Sequence, residues 1–240
     1  MRTVESTNRC PLLQDAAGDA KSPGPAFQPR ASGMRNEICC EPGGLSAIYA
    51  PDVNLAVWQR ELTPVLMQAV RQLVETTRFS SISAVVSAGS VSELLRARLP
   101  DCDGKQVVID DAAFLVDLFT CLFDLPQTGF RMTVLDRVMC PRFHVDHVPC
   151  RLVTTYAGSA MEWLPNDFVD RRRLGLGNNG LPDHISGIYQ NPADINQLAL
   201  GDVALLKGEK WLGNEGAGLV HRSPDAGCNG KRLLLTLDFA

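Results

Sequence analysis

No stretch of the 240-residue chain approaches the run of about 18 apolar residues that spans a bilayer, so no membrane-crossing helix is expected. The first residues, MRTVESTNRCPLLQDAAGD, lack the apolar core of a secretory signal. Basic charge is not in excess either. The chain sets 23 Lys and Arg against 27 Asp and Glu, interspersed, which leaves no footprint for nucleic acid. No CxxC pair occurs among the eight cysteines, which are too dilute for a disulfide scaffold. Without an export signal they are expected to be reduced, in a cytoplasmic protein. Nucleotide-binding and hydrolase signatures are missing as well: there is no Walker-type phosphate loop, no GxGxxG after a strand-like run and no GxSxG. Histidine is scarce, with four in the chain, so the position of each one is informative.

What is present divides unevenly. Residues 1–44 hold five prolines, five glycines, five basic and five acidic side chains, and Phe27 as their one aromatic. Such a segment buries too little apolar surface to offset the entropy of ordering it, and it reads as a disordered tail. Residues 45–240 are long enough for a single domain with its own core. Over 45–128 the pattern is helical. Thr63-Pro64 reads as an N-cap with proline at the first helical position, followed by Val65, Leu66, Ala69, Val70 and Leu73 on one face. Ser90 to Leu99 reads as a short helix closed by Pro100. Asp110-Asp111 open another, with Phe114, Leu115, Leu118, Phe119 and Leu122 on one side and Pro126 as the stop.

Beyond Gly129 the period falls to two. Residues 130–136 and 151–156 alternate, and further short apolar runs at 203–206, 218–221 and 232–239 are separated by Gly, Pro and Asn turns. The expected fold class is α+β with a mainly β core, an antiparallel sandwich or barrel over 129–240, under an N-terminal helical layer. Asp167 to Leu174 reads as a helical insertion.

The chemistry concentrates in Cys140-Pro-Arg-Phe-His144-Val-Asp146-His147. Residues 144 and 146 are two apart, so a strand aims both at one face, and His147 at the other. One imidazole and one carboxylate make half of a two-histidine, one-carboxylate iron(II) site, which needs a third donor from another strand. His221, 75 residues after Asp146, ends the run Gly218-Leu-Val and supplies it. Eleven residues later Arg232 opens the last strand. With a turn at Pro224 to Gly230, Arg232 is expected on the strand neighbouring His221, where a guanidinium can hold a carboxylate bidentately.

The order HxD, then His, then Arg resembles the 2-oxoglutarate- and iron(II)-dependent dioxygenases over about residues 130–240. Arg151-Leu-Val-Thr-Thr-Tyr156 resembles the return strand of their prolyl-hydroxylase-like branch, and Gly201-Asp202-Val-Ala-Leu-Leu the turn and strand before the distal histidine. The wording CPRFHVDHVPCRLVTTYAG, EWLP, GDVALLKGE and HRSP…RLLLTLDF also resembles, over about 45–240, the bacterial family called domain of unknown function 1826. The dioxygenase resemblance implies a double-stranded β-helix, or jelly roll. It implies Fe(II) held by His144, Asp146 and His221, and 2-oxoglutarate bound by Arg232 with a hydroxyl from Tyr156 or Thr154. It further implies an enzyme that hydroxylates a substrate whose identity is not carried over. The family resemblance implies an association with zinc limitation, and so a second expectation: a non-enzymatic zinc-binding or zinc-homeostasis protein on the same scaffold.

Other candidates read more plainly. His184 sits in a loop and is not expected to be a ligand. Cys140 and Cys150 flank the HxD segment, and with His147 they offer a thiolate-imidazole donor set suited to zinc, against which packing is the simpler account. Arg171-Arg172-Arg173 reads as a solvated helix face, with an anionic substrate as its other use. Glu162 and Trp163 are placed near the pocket mouth.

Overall fold

The computed structural model describes residues 33–76, 79–224 and 230–240. Most of the expected tail, 1–32, and most of the expected turn at 224–230 lie outside the described residues. In chain order the elements are β1 (Arg35–Cys39), β2 (Val53–Trp58), α1 (Pro64–Glu75), β3 (Ser81–Val86), α2 (Val91–Arg98) and α3 (Lys105–Leu122). There follow β4 (Thr128–Leu135), β5 (Cys150–Ala157), β6 (Glu162–Leu164), α4 (Asp183–Ser186), β7 (Asn196–Gln197), β8 (Val203–Lys207), β9 (Val220–Arg222) and β10 (Arg232–Phe239). Short 3-10 turns punctuate the loops, three of them between β6 and α4.

Two sheets face each other. The larger has seven strands in the order β1-β2-β8-β5-β10-β4-β3, and the smaller has three, β7-β6-β9. All pairings are antiparallel except β1 with β2. Side chains alternate across the larger sheet. Leu152 and Tyr156 of β5 and Leu233, Leu235 and Leu237 of β10 join Leu66, Val70 and Leu73 of α1 and Leu115 and Phe119 of α3 in the main core. On the other face Val153, Ala204 and Leu206 meet Met161, Trp163 and Leu219 between the sheets. A third cluster, Phe143, Leu164, Val169, Ile188, Tyr189 and Val220, packs the 165–190 segment beside the smaller sheet.

The helices begin where local chemistry allows. The Thr63 hydroxyl accepts from the amide of Leu66, and Pro64 occupies the first helical position. α3 starts five residues before Asp110, because Gly104 takes the left-handed conformation (φ 78°) as N-cap and the added turn buries Val108 and Ile109. Phe114, placed by the sequence on the buried side, is exposed and meets Trp58 edge-on.

The stretch 45–128 is not purely helical. It contributes β2 and β3, and Arg35–Cys39, inside the expected tail, forms an edge strand on β2. β2 reads Val-Asn-Leu-Ala-Val-Trp and is buried on both faces, so it shows no alternation to distinguish it from a helix. The segment 167–174 forms two short 3-10 turns rather than a helix.

One ionic cluster ties helices to sheet. Arg60 donates through Nη1 and Nη2 to the two oxygens of Asp111 on α3 (2.6 and 3.0 Å), and Tyr156 Oη donates to Asp111 Oδ2 (2.6 Å). Asp111→Ala removes the acceptor for both and leaves a guanidinium only 11% exposed without its counterion. The expected loss is about 3 kcal/mol or more, measured by urea unfolding; a loss below about 0.5 kcal/mol would mean the cluster contributes little.

Candidate metal centre

His144 and His221 are brought together by backbone before side chains enter. The amide of each donates to the carbonyl of the other at 3.0 Å, forming an isolated antiparallel bridge that places the HxD segment beside β9. The next residues are zipped to the loop after β8. Glu209 N donates to Asp146 O (2.9 Å), Lys210 N to Val148 O (3.2 Å) and Gly208 N to Pro149 O (2.9 Å). A side chain at Gly208 would collide with the carbonyl oxygens of Val148 and Asp146, so this close approach requires glycine. The Glu209 carboxylate accepts from the amides of Gly216 and Gly218, holding the approach to β9.

The three donor side chains converge. Nε2 of His144 lies 3.7 Å from Asp146 Oδ1, and Nε2 of His221 lies 3.5 Å from Asp146 Oδ2. One ligand atom from each residue lies within 4.8 Å of the others, and this is the one such group of three His, Cys, Asp or Glu among the described residues. Both rings are oriented from behind. His144 Nδ1 donates to Arg142 O (2.9 Å) and His221 Nδ1 to Leu219 O (3.1 Å). A carbonyl can only accept, so each Nδ1 carries a proton and each Nε2 is the ring nitrogen turned to the centre. Burial pushes the His221 pKa down to about 4, against the opposing pull of Asp146, which keeps the imidazole neutral as a ligand must be. The exposures differ: the side chain of His221 is 8% exposed, Asp146 13% and His144 34%.

His144 and His221 line a pocket between the sheets. Its wall comes from the inner faces of β4 (Arg131, Thr133), β5 (Arg151, Val153) and β10 (Arg232, Leu234, Thr236), with Met161 and Leu206. Arg232 is the unusual member. It is 8% exposed, and among the described residues its Nε and Nη1 have no hydrogen-bond partner. The Thr133 hydroxyl, on the same wall, is also buried and unpaired. A buried cation without a partner is costly, and burial pulls its pKa below the usual arginine range. Gly158, at φ 78°, lets the chain pass against Arg232, because a Cβ there would strike the arginine side chain.

Arg232 and His221 are not neighbours in one sheet, as the spacing suggested. β9 belongs to the smaller sheet and β10 to the larger, so the two face each other across the pocket. The expected hydroxyls fall elsewhere. Tyr156 and Thr154 share the outer face of β5, Tyr156 in the main core bonded to Asp111, and Thr154 Oγ1 donating to Gly201 O at 3.4 Å. The inner face carries residues 151 and 153 instead. The sequence reading passed over Thr133 and Arg151; their parity along β4 and β5 was the available signal.

Cys140 lines the pocket, but Cys150 faces the main core, where burial raises its thiol pKa far above the usual range. No metal-type cluster of Cys140, Cys150 and His147 forms among the described residues. His147 and His184 are exposed. The three arginines serve structure: Arg171 binds Asn166 and the Gly218 carbonyl, Arg172 is paired with Asp170, and Arg173 lies 4.0 Å from the same carboxylate. Arg222 holds Glu162 and Asp183 and covers the Phe143 ring.

A pocket between two sheets, with two imidazoles and a carboxylate converging beside a buried cation, defines a β-rich α+β protein with a candidate metal centre. Over residues 40–238 the chain matches the family model described as protein of unknown function (DUF1826), and it belongs to that family. A search of curated proteins finds no match. Among solved structures, a rice dioxygenase for auxin oxidation is 13% identical, with 86% of this chain and 82% of that one covered at a TM-score of 0.49. A Pseudomonas putida prolyl-4-hydroxylase is 10% identical, covering 82% and 97% at 0.41. HygX from Streptomyces hygroscopicus, solved with iron bound, is 10% identical, covering 77% and 80% at 0.41. No helix among the described residues is long and apolar enough to cross a membrane.

The placement of Tyr156 has a direct test. Tyr156→Phe is expected to lower stability by about 1–3 kcal/mol, because Asp111 loses a buried donor, while the affinity for Co(II) stays unchanged. A change in metal affinity without a change in unfolding midpoint would put the hydroxyl back at the site.

Proposed function

We propose that the chain is an iron(II)- and 2-oxoglutarate-dependent dioxygenase on a double-stranded β-helix, with helices outside its larger sheet, that hydroxylates a substrate at the pocket mouth. The observation that carries this reading is one pocket lined by both histidines of the His144-Asp146-His221 cluster and by Arg232, two of whose buried nitrogens have no partner among the described residues. Two imidazoles and one carboxylate suit iron(II) with coordination positions left open. The orphaned cation with the Thr133 hydroxyl suits the distal carboxylate of an oxo-acid.

In this role His144, Asp146 and His221 hold the metal through Nε2, one carboxylate oxygen and Nε2. Arg232 and Thr133 anchor the co-substrate carboxylate, which sets the direction in which the rest of that molecule lies. Val153, Leu206, Leu234 and Met161 keep water from the wall. The bound metal and oxo-acid supply the oxygen activation.

Zinc at the same three donors is the competing reading, since imidazole and carboxylate also suit it. Arg232 favours the enzyme: a metal-storage or sensing site has no use for a buried free cation beside it.

The test is conversion of 2-oxoglutarate to succinate by iron-reconstituted protein under air, with binding of each component measured alongside. Asp146→Ala and His221→Ala are expected to abolish metal binding and succinate. Arg232→Met should retain metal but weaken 2-oxoglutarate binding about 10- to 100-fold, the value of a charge-assisted bond pair. Wild-type protein that binds metal yet neither binds nor consumes 2-oxoglutarate would leave the zinc reading standing.

A further inference from the structure

Asp146 is fixed at its backbone by the bond from Glu209 N to its carbonyl oxygen, but that contact leaves its carboxylate free to turn. The nitrogen atoms of His144 and His221, at 3.7 and 3.5 Å, are too far to hold it by hydrogen bonds. Among the described residues one hydrogen bond does so: Arg151 Nη1 donates to Asp146 Oδ2 at 2.7 Å. The same guanidinium is gripped from behind. Its Nε and Nη2 donate to Asp238 Oδ1 and Oδ2 at 2.7 and 3.0 Å, a fork-on-fork pair. The sheet enforces this pair, because Arg151 on β5 and Asp238 on β10 stand directly opposite in antiparallel register. The β10 end is tied in turn by Thr128 Oγ1, which donates to Asp238 O at 2.6 Å.

We propose that Arg151, aligned by Asp238, is a positioning residue that occupies Asp146 Oδ2 and so presents Oδ1 alone as the metal-ligating oxygen. This rests on the triad being a metal site. It adds that the carboxylate binds through one oxygen, in an orientation set from the opposite sheet. The chain Asp238–Arg151–Asp146 links the last strand to the centre, with one guanidinium set between two carboxylates. Without Arg151 both oxygens of Asp146 are free, and the carboxylate can turn towards solvent or chelate through both.

Full-length protein, freed of metal, would be titrated with Co(II) alone, reading affinity and the visible ligand-field spectrum, with circular dichroism as the check on folding. Arg151→Met is expected to weaken Co(II) binding about 10- to 100-fold, the range for loss of an outer-sphere partner, and to change the spectrum. Arg151→Lys restores one donor and should recover part of the affinity. Asp238→Asn should lose a smaller factor. The double variant Arg151→Met with Asp238→Asn should bind no more weakly than Arg151→Met, since Asp238 acts through Arg151. Folded Arg151→Met with wild-type affinity and spectrum, or additive losses in the double variant, would overturn the proposal and leave the triad reading intact. If Arg151→Met does not fold, Asp238→Asn decides: an unchanged affinity and spectrum there overturn it. Wild-type protein that takes up no Co(II) sinks the triad reading and this inference together.

Discussion

Successive side chains of β10 leave opposite faces of the larger sheet, and most of what this molecule can do follows from that alternation. Leu233, Leu235 and Leu237 point outward and seal the helices to the sheet. Arg232, Leu234 and Thr236 point inward and line the pocket, where Arg151 of β5 meets Asp238. The same rule on β5 divides Tyr156 from Arg151 and Val153. A slip of one residue in either strand would carry an arginine into the apolar core and a leucine into the pocket. Stability and chemistry are therefore specified by one register.

The second sheet contributes direction rather than bulk. β9 is three residues long, yet it delivers His221 to the centre and Arg222 to the Glu162–Asp183 pair. So short a strand cannot hold itself, and its support is distributed: the reciprocal bridge to His144, pairing with β6, and the Glu209 carboxylate at Gly216 and Gly218.

Much of this was legible in the sequence, for identifiable reasons. The alternating runs at 130–136, 151–156 and 232–239 correspond to β4, β5 and β10, since each has one face on the helices and one on the pocket. The residue order His144, Asp146, His221, Arg232 also pointed to one locus, because few residue types make such a set and histidine is scarce here. Parity was the weak point. Tyr156 and Thr154 drew attention as hydroxyls, but a donor's usefulness depends on its face, and counting from Val153 puts both outside. The central strand β2, buried on both sides, carries no alternation, and its pairing with β8 is a contact across about 150 residues of chain that no local pattern encodes.

Arg232 sits in a pocket wall with its charge desolvated and two nitrogens unmatched. The described residues thus leave a local penalty at this guanidinium uncancelled. An anion that settles against this guanidinium offsets that penalty, so its binding adds stability to the fold in proportion to how far its concentration exceeds its dissociation constant on a logarithmic scale. The pocket is then coupled to the folding equilibrium through whatever anion it binds.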